Sequence, residues 1–324
     1  MSAPSSEPDN ELALVFAADE AYAMPLAVTL HSALSHLDLA CRPGVYVLDV
    51  GVCDTSRAHV VDVARAARDN ASVTWLPVAE EPLAGLSGGP DRTAEAARAA
   101  YSRLLIPGLL PAHTRRGVYL DSDVLIRGDI SPLFTLSLGD AAVGASREFL
   151  IHSTEDEMSG VRGHRPARPY LNAGVLVFDV PAWTDAKITE RALSFARDNT
   201  PPWLDQDALN AALDKWHDIG PEWNLQVGAF RTAFPASAFP LAGRYADPQR
   251  LYRSAAVLHF TGGNPWDPRC NSRGTSAWVW YLLRLRWYSP TQSVGWTLHW
   301  LRVRLTFGLA AKARRLRRSL KRAG

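Results

Sequence analysis

The hydrophobic pattern alternates between two kinds of segment. Leu12–Ala18 (LALVFAA) is a continuous apolar run of strand length, the pattern of a strand covered on both faces, as in a parallel sheet. Residues 25–37 repeat apolar positions at helical spacing, and 45–50 return to an apolar strand. Residues 56–68 form a second helical stretch that Asp54 or Thr55 can cap. A third strand follows at 73–76, then a break at 85–90 where glycine and proline cluster. An alanine-rich helix comes next at 93–105 and a fourth short strand at 118–120. Strands alternating with helices at this spacing predict right-handed βαβ units and a parallel sheet. The second half is less regular. It reads as strands at 141–145, 174–178 and 256–260, a clear helix over 185–197 and a shorter helical piece at 208–213. Residues 151–169 are polar, rich in His and Arg, and read as a loop.

Composition narrows the class. The chain has 324 residues, 47% hydrophobic and 21% charged, which excludes fibrous and disordered classes and suffices for one large domain or two modest ones. Cys41, Cys53 and Cys270 are odd in number and lie at no zinc-binding spacing. Neither a disulfide framework nor a structural zinc site is predicted, and a reducing, cytoplasmic compartment fits. Residues 1–10 read as a disordered leader without the features of a secretory signal. No apolar run approaches the roughly 20 residues that span a bilayer.

Charge divides the chain. The net charge is +2, yet thirteen of the 35 basic residues lie after Asp267, where no Asp or Glu occurs. That leaves 22 basic against 33 acidic residues before it. In the basic tail, Leu298, Leu301, Leu305, Leu309, Leu316 and Leu320 recur at helical steps, with Ala313 filling the gap. Arg302, Arg304, Arg315 and Arg318 flank this face, and Trp287, Trp296 and Trp300 lie nearby. Arginine and tryptophan on an amphipathic helix suit an anionic membrane surface, with peripheral attachment at the inner face. Packing on the preceding α/β domain, a solvated basic extension and RNA binding are the competing readings of the tail; no nucleic-acid partner is expected.

The candidate chemistry starts within residues 117–126, GVYLDSDVLI. Alternate residues of an extended strand point to one side, so Asp121 and Asp123 can share a target. Two carboxylates this close repel unless a cation lies between them or one is protonated. Hard oxygen ligands suit Mg²⁺ or Mn²⁺, often bridged to a substrate phosphate. Taken alone, the same three residues also fit a surface turn with two solvated aspartates.

Other segments join this one in order: VFAADEAY (15–22), YSR (101–103), Tyr119 beside the DSD, YLNAGV (170–175), LDQDALN (204–210), WN (223–224), HFTG (259–262) and PW (265–266). Over residues 12–266 the chain resembles glycosyltransferase family 8, the relatives of glycogenin and of bacterial lipopolysaccharide galactosyl- and glucosyltransferases. The resemblance implies an α/β GT-A fold, a Rossmann-like mixed sheet with nucleotide-binding and acceptor-binding halves. A catalytic domain over 11–275 would precede a basic, aromatic-rich helical tail over 276–324. It implies metal-dependent, retaining transfer of a hexose from a UDP-sugar, UDP-galactose or UDP-glucose, to a saccharide, glycolipid or natural-product hydroxyl. Mn²⁺ is the usual metal, with Mg²⁺ as the alternative.

Residue by residue, the resemblance makes Asp121, Asp123 and His259 the metal ligands. Ala17, Asp19 and Tyr22 match the uridine site. Arg103, Ser122, Asn172, Ala173 and Gly262 match positions along the donor sugar and diphosphate. Asp205 matches a contact to the hexose hydroxyls, and Gln206 the residue beside the β-face of the anomeric carbon. Bland alternatives stand beside these: core packing for Tyr22, an internal ion pair for Arg103, a helix cap for Asp205. Retention normally calls for a carboxylate nucleophile, and an amide oxygen is a poor one, so front-face attack is expected. One departure is plain. The family reads His-x-x-Gly-x-x-Lys-Pro-Trp, whereas HFTGGNPW is one residue shorter and has Asn264 before the proline. Arg269 or Arg273 could replace the missing lysine as a phosphate donor. Two alternatives remain at this stage. The segment VYLDSDVL also resembles the first motif of haloacid-dehalogenase phosphatases, and the missing lysine fits a weakly active, membrane-docked pseudoenzyme. A Rossmann dehydrogenase is excluded, because no GxGxxG follows the first strand.

Overall fold

The computed structural model describes residues 11–69, 71–86, 88, 93–149, 168–230, 248–267, 270 and 272–305. The leader 1–10, most of the 151–169 loop, Arg269 and the tail from 306, with Leu309, Ala313, Leu316 and Leu320, lie outside the described residues.

Among the described residues ten strands form two sheets: β1 (Leu12–Ala18), β2 (Gly44–Asp49), β3 (Val73–Pro77), β4 (Arg116–Leu120), β5 (Val124–Ile126), β6 (Val143–Arg147), β7 (Leu171–Asp179), β8 (His217–Asp218), β9 (Leu225–Gln226) and β10 (Val257–His259). Seven of them order as β3-β2-β1-β4-β7-β6-β8, and a small sheet orders as β5-β10-β9. The helices Ala23–His36, Asp54–Ala67 and Ala94–Ser102 fall where the 3.6-residue periodicity predicts them.

The apolar run of β1 serves both faces of the sheet. Leu14, Phe16 and Ala18 join Val45 and Val47 of β2 under the helices Ala23–His36 and Asp54–Ala67. Ala13, Val15 and Ala17 join Tyr46, Leu48, Tyr101 and Tyr119 on the opposite side. With both faces covered, no polar alternation is left to write into the strand.

The expected parallel sheet holds only for the first half. β1, β2, β3 and β4 run parallel, but β7 lies antiparallel to β4, with Leu120 opposite Val175, and antiparallel to β6. The whole sheet is therefore mixed. β7 is buried from Leu171 to Phe178, so its side chains carry no sign of strand direction. The strand runs longer than the expected 174–178 because Asn172 is buried within it.

The core continues past residue 275. The helix Thr275–Leu285 buries Trp278, Val279, Leu282 and Leu285 in the cluster that holds Leu14 and Phe16. Residues 290–305 are helical as well. One side of that helix is turned inward through buried His299 and Val303, and the Trp296 ring stacks on Tyr288 at 5.9 Å and lies 6.5 Å from Trp278. The other side exposes Leu298 (62%), Leu301 (44%) and Leu305 (64%). No helix of the described residues is long and apolar enough to cross a membrane.

Candidate active site

The site forms where β4 ends, outside the carboxyl edge of the sheet. Residues 121–123 make a turn that re-enters as β5, and three elements fix it. Thr29 of the first helix donates its hydroxyl to the carbonyls of Ser122 (2.9 Å) and Val124 (2.7 Å). Ser122 donates its own hydroxyl to the Ala17 carbonyl of β1 at 2.7 Å. The Asp121 N–H donates to the Gly174 carbonyl of β7 at 2.9 Å. His259 reaches this turn through strand pairing: β10 runs antiparallel to β5, with His259 opposite Val124, and the Phe260 N–H donates to the Asp123 carbonyl.

The result is a compact set of ligand atoms. His259 Nε2 lies 3.2 Å from Asp123 Oδ1 and 3.8 Å from Asp121 Oδ2. Carboxylate and imidazole atoms of the three residues fall within 4.8 Å of one another. Adjacent ligands of an octahedral ion bound at about 2.1 Å sit about 3 Å apart, so this spacing fits Mn²⁺ or Mg²⁺. The approach depends on Gly174. A Cβ there would lie 2.2 Å from His259 Cε1 and 2.9 Å from Asp121 Oδ2. Burial raises the Asp123 carboxyl and lowers the His259 imidazole, but their mutual attraction outweighs both. Asp123 ends below, and His259 above, its ordinary value.

Arg103 is the hub behind this cluster. It is buried, and its guanidinium donates to Asp121 Oδ1 (2.9 Å), Asp205 Oδ2 (2.9 Å) and the Ala173 carbonyl (2.8 Å). It also lies over the Tyr119 ring at 4.8 Å, whose hydroxyl donates to Asp121 Oδ1 at 2.8 Å. The ion-pair role is thus the one observed for Arg103. Burial and the neighbouring Asp121 push the Asp205 carboxyl up to about 7, against the pull of Arg103. The native protein therefore holds a proton on Asp205 that the unfolded chain releases near its ordinary 3.8. This group's contribution to stability is full in acid and is lost as pH rises toward 7. In metal-free protein, Asp205→Asn should flatten the decline of unfolding free energy between about pH 4 and 7. Urea titrations across that range would measure it, and an unchanged slope would contradict the assignment.

The helix Asp205–Ala212 places Asp205 on the cleft, with Gln206 next along the chain. Leu204, just before it, holds a positive φ of 49°, a strain kept in place by its buried side chain. The cap position of this helix is Leu204, so Asp205 is its first residue rather than its cap. Asp207 braces the turn instead, accepting from the Trp203 N–H at 2.8 Å and from the Tyr170 hydroxyl. Gln206 Oε1 accepts from the Ala173 N–H at 3.0 Å. Asn210 locks the helix to β7 by bonding both the N–H and the carbonyl of Leu171.

A cleft of about 230 Å³ opens over these groups. Ala17, Asp19, Tyr22, Arg103, Asp121, Ser122, Asp123 and Asp205 line it, as does the exposed Trp203. Tyr22 is no core residue: it is 37% exposed and meets the Trp266 ring edge-on at 5.5 Å. Asp19 Oδ1 accepts from the Tyr22 N–H and so sets that ring's turn. Gly262 occupies the turn after β10 at φ 70°, with no atom within 4 Å of where a Cβ would be. Asn172 is buried and faces inward, bonded to Glu148, Asn224 and the Gly174 N–H. Arg273 packs over Tyr252 at 4.7 Å and donates to Gln249. Sequence reading passed over Trp203, Glu148 and the support role of Tyr119. Trp203, an aromatic ring just ahead of the LDQD segment, carried the one usable signal.

The chain matches the family model described as Glycosyl transferase family 8 over residues 13–270. It is 25% identical over 286 residues to General stress protein A of Bacillus subtilis, covering 86% of this chain and 96% of that protein. It is 39% identical over 173 residues to the Lipopolysaccharide 1,2-glucosyltransferase of Escherichia coli, covering 52% of this chain but only 49% of that one. Among solved structures, the galactosyltransferase LgtC in complex with donor and acceptor sugar analogs superposes with a TM-score of 0.67. The two are 25% identical, and the match covers 88% of this chain and 99% of that one.

Proposed function

This chain belongs to glycosyltransferase family 8 and is a GT-A hexosyltransferase; on that footing we propose that it moves a hexose from a UDP-sugar to a hydroxyl acceptor, with retention and with Mn²⁺ bound by Asp121, Asp123 and His259. The observation that carries the reading is the convergence of those three side chains, two of which, Asp121 and Asp123, line the cleft. The bound ion would supply Lewis-acid neutralisation of charge on the departing diphosphate.

The protein's own groups do the rest. Tyr22 offers an exposed ring to the uracil, and Asp19 an acceptor oxygen beside it. Arg103 holds Asp121 and Asp205 apart at fixed distance, so Asp205 is preset toward the hexose. Gln206 is anchored by the Ala173 N–H and lends its amide dipole to the positive charge that develops at the anomeric carbon. The acceptor oxygen enters on the face that the phosphate leaves. Its proton passes to the released phosphate oxygen, so one C–O bond forms as another breaks. Trp203, 47% exposed, gives an apolar face for a sugar ring of the acceptor.

The phosphatase alternative requires Asp121 as a free nucleophile, yet its Oδ1 is held by both Arg103 and Tyr119, and the family assignment runs against it.

The deciding experiment is a donor panel of UDP-galactose, UDP-glucose and UDP-N-acetylhexosamines with Mn²⁺, scored by UDP release. Release from a UDP-hexose that stops with EDTA is expected; none from any donor would defeat the proposal. In the same assay Gln206→Ala should keep UDP affinity and lose roughly 10²–10³ in turnover. Undiminished turnover would remove Gln206 from the chemistry.

The tail is proposed to rest on an anionic membrane surface through the outward face of residues 290–305. Leu298, Leu301 and Leu305 are exposed there, while the opposite side is packed on the domain. Arg302 and Arg304 lie on the same turns. Leu298→Glu with Leu301→Glu should abolish co-sedimentation with phosphatidylglycerol vesicles and leave UDP release intact. Sedimentation equal to that of the parent protein would reject the surface.

A further inference from the structure

His259 is held from behind by a chain of buried side chains. Its Nδ1 lies 2.9 Å from Asn224 Oδ1. Asn224 Nδ2 donates to Asn172 Oδ1 at 2.7 Å, and Asn172 Nδ2 donates to Glu148 Oε2 at 2.8 Å. All four residues are buried, Asn224 completely. The backbone brings them together. β9 runs parallel to β10 with Gln226 beside His259, so Asn224, two residues earlier, stands behind the imidazole. Asn172 lies in β7, two residues before the glycine against which the imidazole packs.

The direction of every bond in this chain follows from two backbone groups. The Gly174 N–H, which can only donate, points at Asn172 Oδ1 at 3.0 Å. That atom is therefore the carbonyl end of Asn172, and the Asn224 atom facing it must be the NH₂. The Asn224 atom facing His259 is then a carbonyl oxygen, which can only accept. At the far end, the Phe149 N–H donates to Glu148 Oε1 at 2.8 Å, marking Glu148 as an acceptor as well. The imidazole must carry its proton on Nδ1.

We propose that Asn224 is a positioning residue that fixes His259 as the Nδ1–H tautomer, with Asn172 and Glu148 fixing Asn224 in turn, so that the Nε2 lone pair faces the space between Asp121 and Asp123. The proposal rests on the metal reading above for its function, though not for its geometry. It also gives Asn172 a task behind the metal site beside the sugar contact that its motif suggests. Partners that hold the outer nitrogen of a histidine ligand typically govern metal affinity by about 10- to 100-fold.

The test uses the full-length protein. Mn²⁺ binding by paramagnetic resonance titration should weaken about 10- to 100-fold in Asn224→Ala. Asn224→Asp, which keeps an oxygen for the Nδ1–H but loses the donor to Asn172, should recover most of that loss. Equal weakening in both variants, or none in Asn224→Ala, overturns the proposal. The second readout is the ¹⁵N spectrum of histidine-labelled, metal-free parent protein in alkaline solution, where the imidazole is neutral. His259, assigned by its loss in His259→Gln, should show a protonated Nδ1; a protonated Nε2 overturns the proposal even if neither Asn224 variant folds. A parent protein that binds no Mn²⁺ would refute the metal site itself, and the tautomer would still decide the role of Asn224.

Discussion

Gly174→Ala is expected to lose Mn²⁺ binding and transfer together, by about 10²-fold or more in turnover, at a cost of about 1–3 kcal/mol in stability. The new methyl would sit 2.2 Å from His259 Cε1, 2.7 Å from Nδ1 and 2.9 Å from Asp121 Oδ2, so something must move by more than an ångström. β7 cannot retreat, because β4 and β6 pair with it on either side. The Gly174 N–H and carbonyl are themselves engaged, by Asn172 Oδ1 and the Asp121 N–H. Displacement falls on the two ligands, and a shift of about 1 Å in a reacting constellation costs about 10²-fold. Gly174 is not among the glycines with positive φ, so the backbone tolerates alanine and the effect is one of space alone. Parallel Mn²⁺ titration, UDP-release kinetics and urea unfolding would check this. A folded variant with parent-like metal affinity would show that the ligands do not need this close approach.

Arg103→Met is expected to destabilise the protein by about 3–5 kcal/mol, the usual consequence of leaving buried charge without its partner. The Asp121 carboxylate and the Asp205 carboxyl group lose a donor at 2.9 Å each, and the Ala173 carbonyl loses one at 2.8 Å. Methionine fills the volume of the stem, so the loss reads on charge and hydrogen bonding more than on a cavity. Arg103→Lys should fall between the two, because an ammonium supplies the charge without a fork that spans three acceptors. Mn²⁺ should recover part of the stability of Arg103→Met by neutralising Asp121, whereas the parent gains from the ion only by ordinary binding linkage. Urea unfolding with and without Mn²⁺ would measure both. A loss below about 1 kcal/mol would mean that Arg103 behaves as an exposed pair, against its burial.

Much of the site could be read from the chain because its chemistry is local. The period of an extended strand put Asp121 and Asp123 on one side; residues 121–123 form a turn instead, and the Oδ atoms converge with His259 all the same. The LDQD segment does place Asp205 at the start of a helix facing the cleft. Roles that depend on which way a side chain turns could not be read. Asn172 carries two donors and a carbonyl acceptor, fitting a sugar or a buried network equally; the internal partners Asn224 and Glu148 come from other strands and loops, so no local spacing could name them. Arg103 offered the same choice between a substrate and an internal partner; the fold supplies the internal partners, Asp121 and Asp205, and also leaves Arg103 lining the cleft.

The amino-acid sequence by itself determined the alternation of strand and helix, the apolar strand β1 and the identity of the acidic pair, since each rests on the spacing of neighbours along the chain. Only the tertiary structure decided that β7 runs antiparallel, that Thr275–Leu285 is core while Leu298 and Leu301 face outward, and that Asn224 stands behind His259. An apolar residue records that it is buried, not against what. Strand direction, helix facing and the partner of a buried amide are set by segments far apart in the chain, which meet only when the sheet closes.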